Sequence, residues 1–109
     1  MTTANDLRKL VLVMAVGLCQ AIEERALPID AACHYLFSPR TMKLFEDDRE
    51  VHEIIHLASE FEDLARLAPD ALGEAVVDVK RRAIVAIKNT PPCDYQQDSW
   101  LSKLLPTGR

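Results

Sequence analysis

LVLVMAVGLC, residues 10–19, is a run of ten apolar residues without a break, and its reading decides the fold. It lies inside a helix-forming stretch from about Asp6 to Arg25. A surface helix would carry polar residues on every turn. This segment is apolar all round, which predicts a helix covered on nearly every side. Ten residues rise only about 15 Å, half the ~30 Å of a bilayer core, so a membrane span is not expected. The reading that follows is all-α: a compact bundle of about five helices, with everything after Pro28 wrapped around a buried N-terminal helix. Thr3, Asn5 or Asp6 is expected to cap that helix, and Asp6 also suits the positive end of its dipole. Gly17 inside it costs roughly 1 kcal/mol relative to Ala, which predicts another helix crossing closely there.

Outward from that helix, Pro28 closes one element and opens a short one through Ala31, Ala32, Tyr35 and Leu36. Ser38 followed by Pro39 is a restart signal, an N-cap hydroxyl with proline at the first helical position. A second short helix is expected from about 39 to 46, burying Met42, Leu44 or Phe45. Asp47 with Glu50 resembles a capping box, with Asp in place of Ser or Thr. From there one helix is expected over about 47–67, with Ile54, Leu57, Ala58, Phe61, Leu64 and Ala65 on its core stripe. Pro69 restarts the chain, and Leu72, Val76, Val79, Ala83, Ala86 and Ile87 keep helical spacing to about Asn89. Asn89-Thr90-Pro91-Pro92 stops that helix. The remainder, about 90–109, holds the single Trp, Trp100, with Leu101, Leu104 and Leu105 close by, and is expected to dock on the body.

At 109 residues the chain is long enough for one domain and too short for two. Three glycines and the lack of alternating apolar residues between hairpin turns exclude a β fold. The net charge of −4 is unevenly spread. Glu46, Asp47, Asp48, Glu50, Glu53, Glu60, Glu62 and Asp63 face one base, Arg49, in the same stretch, while Lys80, Arg81, Arg82 and Lys88 sit on a later helix. A chain so arranged is not expected to bind nucleic acid, whose backbone is held by clustered Lys and Arg. Cys19, Cys33 and Cys93 form no CxxC pair and are odd in number, which suits a reducing cytoplasm. Arg8 and Lys9 before the apolar run, with Cys19-Gln20-Ala21 after it, loosely imitate a bacterial signal peptide. Asp6 in the basic region, and a helical pattern continuing through Ile22 to Arg25, argue against cleavage.

The loudest motif is His52-Glu53-Ile54-Ile55-His56, which fits H-E-x-x-H. On a helix the two imidazoles lie one turn apart and can share a Zn²⁺ while the Glu polarises a bound water. Glu74 is the candidate third ligand. The helical wheel turns His52 and His56 away from the Ile54/Ala58/Phe61 stripe, beside Ser59 and Asp63, on a polar face rather than in a cleft. Cys33 and His34 are adjacent, so their side chains diverge around a helix and form no dyad. With so few glycines a phosphate-cradling loop is not expected.

Three patches carry a family texture: Lys9-Leu10-Val11-Leu12-Val13 leading to Gly17-Leu18; Tyr35-Leu36-Phe37-Ser38-Pro39; and Glu53-Ile54-Ile55-His56-Leu57 with Glu60 and Glu62-Asp63. Over about residues 9–64 the chain resembles a family of small uncharacterised bacterial all-helical proteins. That pattern features the position of His56 and not that of His52. The resemblance implies the helical fold and brings no activity with it.

The favoured function is a small non-enzymatic binding protein, immunity- or antitoxin-like, that turns the acidic helix of about 47–67 toward a basic protein partner such as a toxin. Glu53, Glu60, Glu62 and Asp63 are the expected contact residues, with no cofactor. One alternative is a zinc hydrolase using Glu53 with His52, His56 and Glu74. Another is a homodimer in which a second copy completes the cover of the helix through residues 10–19.

Overall fold

The computed structural model describes residues 4–91, and within them the chain forms six helices and no strand. In order these are α1 (Ala4–Glu23), α2 (Ile29–Tyr35), α3 (Pro39–Leu44), α4 (Arg49–Ala58), α5 (Phe61–Leu67) and α6 (Pro69–Lys88). The all-α reading holds, with six helices in place of about five.

The helix at the centre is α6, not α1. It packs against α1, α4 and α5, while α2 leans on α5 and α3 on α4. Val76, Val79, Ala83 and Ala86 form its buried stripe. It runs antiparallel to α1: Lys80 reaches Gln20 and Glu23 at one end, and Thr90 meets Arg8 at the other. Phe61 and Phe37 are buried in the core, edge to face with centroids 5.7 Å apart, and tie α5 to the turn after α2. Such a pair adds about 1 kcal/mol beyond the area it buries.

The expectation of an all-round buried α1 is overturned. Val11, Leu12, Ala15 and Cys19 are buried, but Val13 is 52% exposed and Leu7 and Met14 are each 40% exposed. One face of α1 is covered by α6, α2 and α4, and the described helices are too few to enclose the other. Gly17 looks into open space, with nothing within 4 Å of the position its Cβ would take, so the expected close crossing is absent there. Asn5 and Asp6 lie inside the first turn of α1 and so do not cap it, although Asp6 does sit at the positive end of the dipole. Thr3 lies outside the described residues, as does the segment around Trp100.

α1 ends through an unusual residue. The Ala26 N–H donates to the Ala21 carbonyl at 2.9 Å, and the Arg25 N–H donates to Ile22 at 3.0 Å. This is the paired C-terminal closure that normally places glycine in the left-handed region, and here Arg25 occupies it at φ 59°. α3 starts as its sequence predicts, with the Ser38 hydroxyl accepting from the Thr41 N–H and Pro39 in the first turn. Phe45 is buried after it, while Leu44 is 70% exposed.

The single helix expected over 47–67 is two helices. Asp48, rather than Asp47, caps α4 by accepting from the Val51 N–H at 3.2 Å. The helix then breaks at Ser59 and Glu60. The Ser59 hydroxyl donates to the His56 carbonyl at 2.6 Å, and the Glu60 N–H tightens onto Leu57 at 3.2 Å. This local back-bonding competes with the regular ladder. Three acids, Glu60, Glu62 and Asp63, then suit the restart of α5 at its positive end. The stripe is correspondingly redistributed: Val51, Ile54, Ile55, Ala58 and Phe61 are buried, and Leu57, Leu64 and Ala65 only half-buried.

Candidate functional site

α4 has a strongly sided pattern, and its polar face is the chemically richest surface of the molecule. Along it an open groove of about 670 Å³ separates α4 from α6, lined by Arg49, Glu50, Glu53, Asp78, Arg81 and Arg82 over Ile54 and Val85. The charges interleave. Arg82 lies 3.9 Å from Glu53 and 2.9 Å from Asp78, bridging the two walls. Sequence reading assigned the acids to one helix and the bases to another without joining them. The signal was present in the i,i+4 spacings of Arg49/Glu53 and Asp78/Arg82, which give each wall both signs of charge.

The four acids expected to meet a partner do not form one continuous face. An unbroken helix would stack Glu60 two turns beyond Glu53 on the same side. The break at Ser59 ends that alignment, leaving Glu53 in the groove and Glu60, Glu62 and Asp63 at the start of α5. Asp63 is paired with Arg66 at 3.0 Å, and Glu60 lies 4.0 Å from His56 Nε2. Glu46 and Asp47, ahead of α4, are exposed as well. Among the described residues Glu46, Asp47 and Glu62 have no Lys or Arg within ion-pair distance. Among the described residues, acidic charge with no cation within ion-pair distance therefore stands at both ends of α4.

Of the H-E-x-x-H residues, His52 is half-buried while Glu53 and His56 are exposed. His56 turns toward Glu60, and Glu53 turns toward Arg82. Glu74 lies on the exposed first half of α6 and is not brought to the histidine pair: among the described residues no three His, Cys, Asp or Glu side chains converge closely enough to hold a metal ion.

One further feature lay beyond sequence reading. Arg8, on α1, donates from Nε to the Thr90 hydroxyl at 2.9 Å, and its two terminal nitrogens hold Asp48 and Glu50. Burial works against the Arg8 charge, but the hydrogen bonds to Asp48 and Glu50 outweigh it and keep the guanidinium firmly protonated. Burial also works against charge on Asp48. The bonds from Arg8 and the Val51 N–H prevail and hold its carboxyl below the usual range. One arginine thus fixes the α4 cap to α1 and to the end of α6. Two thiols, Cys19 and Cys33, are buried in the core. Burial pushes Cys19 up to about 12, and burial together with the Glu62 carboxylate pushes Cys33 up to about 11. Both are free and neutral near pH 7, the state of small packing residues rather than of nucleophiles.

Among the described residues no helix is long and apolar enough to cross a membrane. Residues 2–102 match the family model described as a protein of unknown function, DUF3969. No curated protein and no solved structure matches the chain.

Proposed function

The chain belongs to this family of proteins of unknown function, and we propose that it acts as a small non-enzymatic binding protein that presents the two ends of α4 to a basic protein partner. The observation that carries this is the exposed acid at Glu46, Asp47 and Glu62, which among the described residues has no Lys or Arg within ion-pair distance, with Glu60 near Glu62 and 4.0 Å from the exposed His56. Such charge steers a cationic partner and sets its orientation. The Arg8 clamp on Asp48 supports the reading, because it fixes the start of α4, the helix that separates the two acidic groups. An immunity or antitoxin protein neutralising a basic toxin is the type of interaction that fits. The free thiols of Cys19 and Cys33 favour a reducing, cytoplasmic site of action.

The test is affinity capture from the source cells with two baits, the wild-type chain and the Glu60→Lys/Glu62→Lys variant. Both substitutions are at exposed positions and should leave the fold intact. The expected result is a basic protein retained by the first bait, released by salt, and lost on the second. Retention of a neutral or acidic protein, or equal retention on both baits, contradicts the reading.

A further inference from the structure

The face of α1 opposite Val11, Leu12, Ala15 and Cys19 is apolar and, among the described residues, uncovered. At about 100° per residue, Leu7, Leu10, Val13, Met14, Gly17 and Ala21 fall in one arc of about 120°, and no polar residue between positions 7 and 21 shares it. Leu7, Val13, Met14 and Gly17 are exposed, and nothing stands within 4 Å of a Cβ placed on Gly17. Ile84 extends the patch onto α6: it is exposed and lies one helical turn from Lys80, which reaches α1 at Gln20. A surface of this kind normally meets another apolar surface.

The charges on its rim indicate which surface. Lys9 borders the arc near the start of α1 and Glu24 follows the end of the helix, both on the Val13 side. Among the described residues Lys9 has no Asp or Glu within ion-pair distance, and Glu24 has no Lys or Arg. Glu24 only accepts the Gln20 side-chain amide, at 3.1 Å. Positions 9 and 24 stand about 22 Å apart along the axis, and the point midway between them falls at Val16 and Gly17. A two-fold axis through that point, perpendicular to α1, lays a second α1 antiparallel on the first. It sets position 9 of each copy opposite position 24 of the other, and because such a rotation keeps the flank, both opposite-charge pairs close on the Val13 side. Gly17 sits at the crossing, where the missing side chain lets the two backbones approach. The face is thus complementary to itself in charge and shape, as a closed two-fold dimer requires.

We propose that a second copy of this chain covers the outer face of α1, in an antiparallel dimer that crosses at Gly17 and is bounded by two ion pairs from Lys9 to Glu24 of the other copy. One helix face about 21 Å long is small for an interface, so the dimer dissociates in the micromolar range. This inference stands independently of the proposed acidic binding surface, since Glu46, Asp47, Glu60 and Glu62 take no part in it.

Sedimentation equilibrium of the full chain reads the contact. The expected result is a reversible equilibrium whose limiting mass at high concentration is twice that of the chain. Gly17→Arg, at an exposed position with open space around it, should abolish dimerisation while the far-ultraviolet circular dichroism of the chain is kept. Lys9→Glu and Glu24→Lys each place like charges opposite one another and should weaken dimerisation several-fold. An equimolar mixture of those two variants should recover the wild-type affinity, because each supplies the charge the other lacks. A chain that stays monomeric into the high micromolar range overturns the proposal, as does a dimer indifferent to Gly17→Arg. Charge variants that dimerise as tightly as the wild type, or whose mixture shows no recovery, overturn it as well.

Discussion

Replacing Arg8 with Met removes a three-way contact that neighbouring side chains cannot rebuild, because its partners come from positions 40, 42 and 82 residues away in sequence. Its side chain is only 15% exposed and that of Asp48 only 29%, so their charge-assisted bond is partly shielded from water. A hydrogen bond of that kind contributes about 1.5 kcal/mol at the low end of its usual range. Glu50 is 42% exposed, and its pair with Arg8 is discounted to a few tenths of a kcal/mol. The bond to Thr90 adds about 0.5 kcal/mol, since that hydroxyl keeps its own bond to the Ala86 carbonyl at 2.8 Å. The sum is about 2 kcal/mol, or roughly 10 °C in Tm for a chain of this size. Asp48→Asn retains the helix cap, so a double-mutant cycle between the two positions isolates the ion pair from the cap.

The pH dependence has a definite sign. The Asp48 carboxyl is held below its ordinary 3.8, so its contribution is present above that value and lost as pH falls through the lower folded value. Urea melts at pH 7 and pH 3 should therefore show a coupling of about 1.5 kcal/mol at pH 7 that shrinks at pH 3. A loss below about 0.5 kcal/mol for Arg8→Met at pH 7, or a coupling that does not change with pH, would refute the clamp.

Other consequences are as direct. Arg25→Gly should raise stability by about 0.5–1 kcal/mol, because glycine accepts φ 59° without the strain a Cβ brings; a lower Tm for this variant contradicts the closure described for α1. In a Cys93→Ser background, Ellman's reagent at pH 8 should modify Cys19 and Cys33 only at the rate of opening, far more slowly than in urea. Immediate reaction of either thiol would contradict its burial. Both thiols are raised above their ordinary 9.0, to about 12 and about 11, so the stability they confer is complete below pH 9 and declines above it. Cys33→Ala should lessen that alkaline decline while leaving the larger share that belongs to Cys19.

The elements with local punctuation were legible in the sequence. Ser38-Pro39 and Pro69 start helices where expected, and the α6 stripe from Leu72 to Ile87 faces inward as its spacing requires. The break at Ser59 was not legible, since neither Ser59 nor Glu60 is a helix breaker and the interruption comes from a hydroxyl bonded back to His56. The partial cover of α1 was hidden for a different reason. Composition reports how much apolar surface a helix offers but not how much partner surface the rest of the chain has to spend on it. The acidic character of the α4–α5 edge was plain. Its division by the α5 restart, and the Arg82 bridge that occupies Glu53, depend on contacts between helices far apart in sequence.

The surface reading rests most directly on where a bound partner shields the backbone. Hydrogen–deuterium exchange on the captured complex should show new protection at the α3–α4 turn around Glu46 and Asp47 and at the first turn of α5 around Glu60 and Glu62, with the α6 face away from α4 unchanged. Protection confined to α1 or α6, with both ends of α4 exchanging as in the free chain, would contradict it.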